Sequence, residues 1–171
     1  MARLKQSGFK NDFSKQIGVR GDMIEIKNIL FPCDLREPSL KLLPYVVSMS
    51  DKYSSMIYLL HVIEDISKWG GMYLPHVPME LYQKEAMEAT EKVVDKIYRE
   101  DLNSRPNFQS LVLSGKPASE ILRVIDSKAI DLVIMGTHGY KGLERTIFGS
   151  VAEKVVRESS APVLIINPNK I

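Results

Sequence analysis

The sequence predicts an α/β fold, a three-layer sandwich built on a five-stranded parallel sheet, and three observations carry that prediction. Short apolar runs recur at residues 26–31, 56–63, 108–113, 131–135 and 162–166, each bounded by turn-forming residues. They are mostly continuous rather than alternating, as strands covered on both faces of a parallel sheet must be. The segments between them place apolar residues at helical spacing, so strand and helix alternate and the helices fall on the faces of the sheet. The length of 171 residues suits one domain with a sizeable core, and 44% hydrophobic against 26% charged residues is the balance of an ordinary globular chain.

Residues 1–22 are polar and basic without a helical or strand period, and are expected to be a flexible extension outside the core. The domain itself is expected to span 23–171. The first strand, 26–31, is broken by Pro32-Cys33-Asp34. A helix over 39–52 follows, with Leu42, Leu43, Val46, Val47 and Met49 as its stripe and Pro44 near its start. With the strand at 56–63 this makes a right-handed parallel crossover. Residues 64–77 read as a long loop holding Gly70, Gly71, Pro75 and the aromatic cluster Trp69, Tyr73 beside Met72. Those side chains would either cover a bound base or pack on a partner subunit. The helix expected over 78–102 turns Tyr82, Ala86, Ala89, Val93 and Ile97 inward. The strand at 108–113 is closed by Ser114-Gly115, and Pro117 opens a helix over 118–127. The fourth strand at 131–135, a helix over 150–159 and the fifth strand at 162–166 complete the chain.

Composition excludes several classes of function. A net charge of +2, with no Lys/Arg cluster interleaved with aromatics, offers no nucleic-acid face. The single cysteine, Cys33, can form no internal disulfide, and no Cys/His pairs stand at zinc spacing. No apolar run is long enough to span a membrane and no leader pattern is present, so a cytoplasmic location is the expectation.

The chemistry concentrates where the fourth strand empties into glycines. Gly136-x2-Gly139-x9-Gly149-Ser150 follows an apolar strand and precedes a helix. Glycine lets main-chain N–H groups come close to an anion, and a helix start adds unpaired N–H groups and partial positive charge. A chance match to this pattern in such a chain is on the order of one in a hundred. His138, Lys141 and Arg145 hang on the same segment, where a cation could approach phosphates. Ser150-x-x-Glu153 has a competing reading as a capping box that needs no ligand. Asp34, just past the first strand, likewise has two readings. It is either a carboxylate for a ribose or adenine group at the binding edge of the sheet, or a cap on the turn before the first helix.

The glycine pattern resembles the nucleotide loop of the universal stress protein family in its ATP-binding branch, and the resemblance extends over 24–167. It implies a Rossmann-like sheet of the adenine nucleotide alpha hydrolase-like type. Pro32-x-Asp34 is similar to a family signature whose Asp contacts the nucleoside. Ile57 and Met135 match positions that line the adenine, although core packing explains Ile57 equally well. Gly136, Gly139, Gly149 and Ser150 match the phosphate loop, His138 stands within it where the family has small or varied residues, and Val151 follows the phosphate-binding Ser. The implied ligand is ATP, with ADP or AMP as alternatives, accompanied by Mg2+ or Mn2+. The implied role is a stress-response nucleotide sensor acting as a homodimer through the last strand, 163–166, with a tetramer as an alternative. Two other functions compete: a slow ATPase or an enzyme that phosphorylates itself on Ser150, and an interaction module that binds no nucleotide. A phospho-acceptor domain is excluded, because Asp34 stands without a second acid and Ser114-Gly115 occupies the acceptor position.

Overall fold

The strand β1 (Asn28–Pro32) lies at the centre of the sheet, and Ile29, Leu30 and Phe31 show why: all three are 0% exposed. A strand that is apolar on both sides can only be covered on both sides. The computed structural model describes residues 24–64, 79–102, 105–137 and 149–171, with side chains of 79–83 excepted. After β1 come a single turn α1 (Glu37–Leu40), α2 (Leu43–Tyr53), β2 (Met56–Glu64), α3 (Met79–Glu100) and β3 (Phe108–Gly115). Then follow α4 (Pro117–Ser127), β4 (Leu132–Gly136), α5 (Ser150–Glu158) and β5 (Val163–Ile166).

The five strands are all parallel in the order β3-β2-β1-β4-β5, so the chain steps outward from β1 to β3, then returns past β1 to β4 and β5. Right-handed crossovers in opposite directions put helices on opposite faces. The two cores record this. On one face Ile29, Phe31, Ile57, Leu59 and Ile134 meet Leu43 and Val46 of α2 and Val94 and Ile97 of α3. On the other, Leu30, Leu60, Val133 and Met135 meet Ile121, Val124 and Ile125 of α4 and Ala152 and Val155 of α5. The expected three-layer, Rossmann-like sandwich is the observed one.

Local departures have local causes. The first helix is split between α1 and α2 because Pro44 stands in the first turn of α2 and has no N–H to offer the carbonyl one turn back. β1 starts at Asn28, two residues later than expected, and β3 continues through Ser114 to Gly115. In α3 the inward face is rotated from the expected one. Val94 and Ile97 are buried, whereas Val93 is 43% exposed and Ala89 is exposed. The stack of Tyr98 on Phe108 of β3, with centroids 5.0 Å apart, fixes that rotation. At the amino edge, Asp131 joins β1 to β4: its Oδ2 accepts the N–H groups of Lys27 and Asn28, each at 2.8 Å.

Candidate functional site

The sheet reverses its direction of growth between β1 and β4, and in open parallel sheets the crevice outside the carboxyl ends at that point is where ligands sit. Two segments leave the sheet there, one after Pro32 and one after Gly136, from neighbouring strands about 5 Å apart.

After Pro32, the last residue of β1, the N–H of Cys33 still donates to the Leu60 carbonyl at 2.9 Å. The chain then turns. Asp34 Oδ1 accepts from the Arg36 N–H at 3.1 Å and from the Ser39 hydroxyl. Leu35 takes φ 59, a left-handed conformation that costs a non-glycine residue about 1–3 kcal/mol and survives because its side chain packs on the core. Both sequence readings of Asp34 therefore bear on the structure. Oδ1 holds the turn, as a cap would, and Oδ2 has no hydrogen-bond partner among the described residues.

On the β4 side, Met135 is buried and Gly136 ends the strand. Thr137 donates its N–H to the Ile166 carbonyl at 3.0 Å, and its own carbonyl accepts the Gly149 N–H at 2.7 Å. That last bond joins Gly149 to the end of β4 and sets the start of α5 at the sheet edge. Gly149 is the residue before the first helical turn, with φ −70 and ψ 154, a conformation open to any residue. Glycine is thus not required at 149 for its backbone freedom. The capping box expected from Ser150 and Glu153 does not form. Gly149 caps α5 with no side-chain hydrogen bond, Ser150 is the first helical residue and exposed, and Glu153 lies 3.9 Å from Arg157. The first N–H groups of α5 have no intrahelical acceptors, and the positive end of the helix dipole lies at this carboxyl edge of the sheet.

Seven of the residues expected in the site share this edge: Pro32, Asp34, Met135, Gly136, Gly149, Ser150 and Val151, the last packing on the core cluster that contains Met135. Ile57 does not belong with them. It is 0% exposed, stands second in β2 opposite Ile29, and lies three residues before the level of Pro32, about 10 Å down the strand. It is a core residue, as its packing alternative had it. His138 and Gly139, together with Lys141, Arg145 and the aromatic loop of Trp69, Met72 and Tyr73, lie outside the described residues. Ser39 and Thr137 were not legible as site residues: Ser39 acts across five positions that follow no motif, and Thr137 acts through a carbonyl that any residue would supply. Among the described residues no group of three or more His, Cys, Asp or Glu could hold a metal ion.

Cys33 lies directly beneath the turn and is 5% exposed. Burial pushes its thiol from an ordinary 9.0 up to about 12, against the Leu35 N–H that favours the thiolate and with the Asp34 charge that opposes it. At pH 8 a maleimide is expected to label Cys33 only on unfolding; rapid labelling of the native protein would contradict the burial. Because the folded value lies above the unfolded one, the neutral thiol's contribution to stability is complete below about pH 9 and is lost as pH rises toward 12. Loss of stability across that window should be shallower in a Cys33→Ala variant.

A sequence model described as the universal stress protein family matches residues 25–167. Universal stress protein MJ0531 of Methanocaldococcus jannaschii is 32% identical over 147 residues, covering 84% of either chain. The solved structure of MJ0577, from the same organism, superposes with a TM-score of 0.70 at 24% identity, covering 84% of this chain and 97% of that one. A universal stress protein solved in complex with cAMP superposes with a TM-score of 0.53 at 17% identity, over 84% and 98% of the two chains.

Proposed function

Because the chain belongs to the universal stress protein family, we propose that it is an ATP-binding member, a stress-response sensor whose nucleotide occupancy biases its conformation or assembly. The observation that carries this reading is the meeting, at one sheet edge, of Asp34, whose Oδ2 has no partner among the described residues, with the α5 N-terminus that the Thr137–Gly149 bond places. Asp34 would accept from the nucleoside, Met135 and Pro32 would border the base, and the N–H groups of Ser150 and Val151, with Gly136, His138, Gly139 and Gly149, would take the phosphates. Mg2+ or Mn2+ would accompany them. The cAMP bound by the solved relative supports an adenine nucleotide as the ligand class. The reading includes a homodimer through β5 and a cytoplasmic location; among the described residues no helix is long and apolar enough to cross a membrane.

The test is to denature freshly purified, untagged protein, identify released nucleotide by anion-exchange chromatography, and titrate emptied protein with ATP and Mg2+. ATP at near one per chain is expected. ADP or AMP in its place would favour the slow hydrolase, and a protein that arrives empty and binds nothing would favour the interaction module. The domain is proposed as 23–171 with 1–22 outside the site, so removal of 1–22 is expected to leave ATP affinity within about twofold, less than 0.5 kcal/mol. A larger loss would place the extension in the site.

A further inference from the structure

The turn that presents Asp34 is tied to the sheet by the side chain of His61, in the run Leu59-Leu60-His61-Val62 of β2. Pro32 pairs with Leu60 in the β1·β2 register, so His61 stands level with Cys33. His61 Nδ1 lies 2.8 Å from the Cys33 carbonyl. A carbonyl oxygen only accepts, so Nδ1 carries the proton and donates. The group it holds is the peptide unit between Cys33 and Asp34. The next residue, Leu35, is the one in the left-handed conformation, and a strained residue persists only where its surroundings over-determine it. Among the described residues, other polar restraints on this turn include the backbone bond from the Cys33 N–H to the Leu60 carbonyl at 2.9 Å and three short-range contacts: the Leu35 N–H on Cys33 Sγ at 3.3 Å, and the Arg36 N–H and Ser39 hydroxyl on Asp34 Oδ1. The His61 bond crosses from β2 and ties the turn to the rigid sheet.

We infer that His61 is a positioning residue for the ligand-facing carboxylate: its Nδ1–H fixes the Cys33–Asp34 peptide and thereby the direction of Asp34 Oδ2. The inference rests on the reading of Asp34 as a nucleoside contact. It differs from a purely structural role in that the identity of one donor atom, and not the bulk of the ring, sets the affinity.

The experiment compares the full-length protein with His61→Leu, which keeps apolar volume and loses the donor, and His61→Asn, whose amide N–H2 can occupy roughly the place of Nδ1–H. ATP with Mg2+ is titrated calorimetrically, and 15N relaxation is measured at residues 34–36 of the unliganded proteins. His61→Leu is expected to bind about tenfold more weakly, with order parameters at 34–36 falling from the rigid level of about 0.85 to below about 0.6. His61→Asn is expected to recover both to near the parent values. Parent-like affinity and order in His61→Leu would overturn the inference, as would an Asn variant no better than the Leu variant. If the parent protein binds no adenine nucleotide, the functional reading fails separately. The relaxation data then decide by themselves, mobilisation in His61→Leu that Asn reverses supporting the clamp and its absence overturning it.

Discussion

Gly149→Val is expected to weaken ATP binding by about 100-fold or more while the protein remains folded. The two halves of that expectation have different grounds. Gly149 has φ −70 and ψ 154, a β-region conformation that a β-branched residue adopts readily, so the backbone tolerates the change. Valine is a poorer residue than glycine before the first helical turn, but the loss there is on the order of 1 kcal/mol, well within the stability of a domain this size. The ligand would meet a harder obstacle. The isopropyl group stands beside the first N–H groups of α5, where a phosphate must approach the main chain closely. Each charge-assisted hydrogen bond lost there is worth about 1.5–3 kcal/mol, and losing two reaches 100-fold. Calorimetric titration with ATP and Mg2+, alongside a thermal melt, separates the two halves. Retained affinity would remove the helix start from the site, and a collapsed melt would show that the glycine serves the fold.

The order of strands and helices was legible because it rests on long-range averages. A strand such as Ile29-Leu30-Phe31 is apolar on both faces wherever its ends fall, and a sheet grown from β1 in both directions has few ways to close. What was not legible depended on one neighbour or one hydrogen bond. The rotation of α3 goes with Tyr98 resting on Phe108 of the next strand, a tertiary contact that helical periodicity does not reveal, and this turns Val94 inward in place of Val93. The candidate site divides in the same way. Its position at the carboxyl edge could be read from the strand ends and the glycine spacing. The state of each polar atom could not. Ser150 looked like a cap until Gly149 took that role, and Asp34 spends one oxygen on its own turn while leaving the other open. Ile57 shows the opposite limit. A resemblance at a single apolar position cannot tell a pocket wall from a core, and full burial near the start of β2 assigns it to the core.

Leu164→Lys is expected to convert a dimer, at twice the 19.4 kDa chain mass, into a monomer, as read by sedimentation equilibrium at micromolar protein. Among the described residues the sheet ends in two edge strands, β3 and β5, and their sequences differ. β3 carries exposed Gln109, Ser110 and Ser114, polar residues that make an unpaired edge tolerable in water. β5 is Val163-Leu164-Ile165-Ile166, with no polar residue along it. The carbonyls of Pro162 and Ile166 turn inward to Val133 and Thr137, so by alternation the N–H and C=O groups of Val163 and Ile165 face the open side. Leu164 is 38% exposed on the strand and Val156 48% exposed on the adjacent α5. An apolar edge of this kind is a template for another strand, and a second copy of the same edge is the symmetric way to satisfy it. A lysine at 164 would put one charge from each protomer into the closing contact and would favour the hydrated, unpaired edge. The site lies at the carboxyl end of the neighbouring β4, so dimer loss need not abolish ATP binding, and the variant's affinity measures any coupling between the two. A parent protein that sediments as a monomer throughout, or a Leu164→Lys variant that dimerises as tightly as the parent, would show that β5 is not the interface.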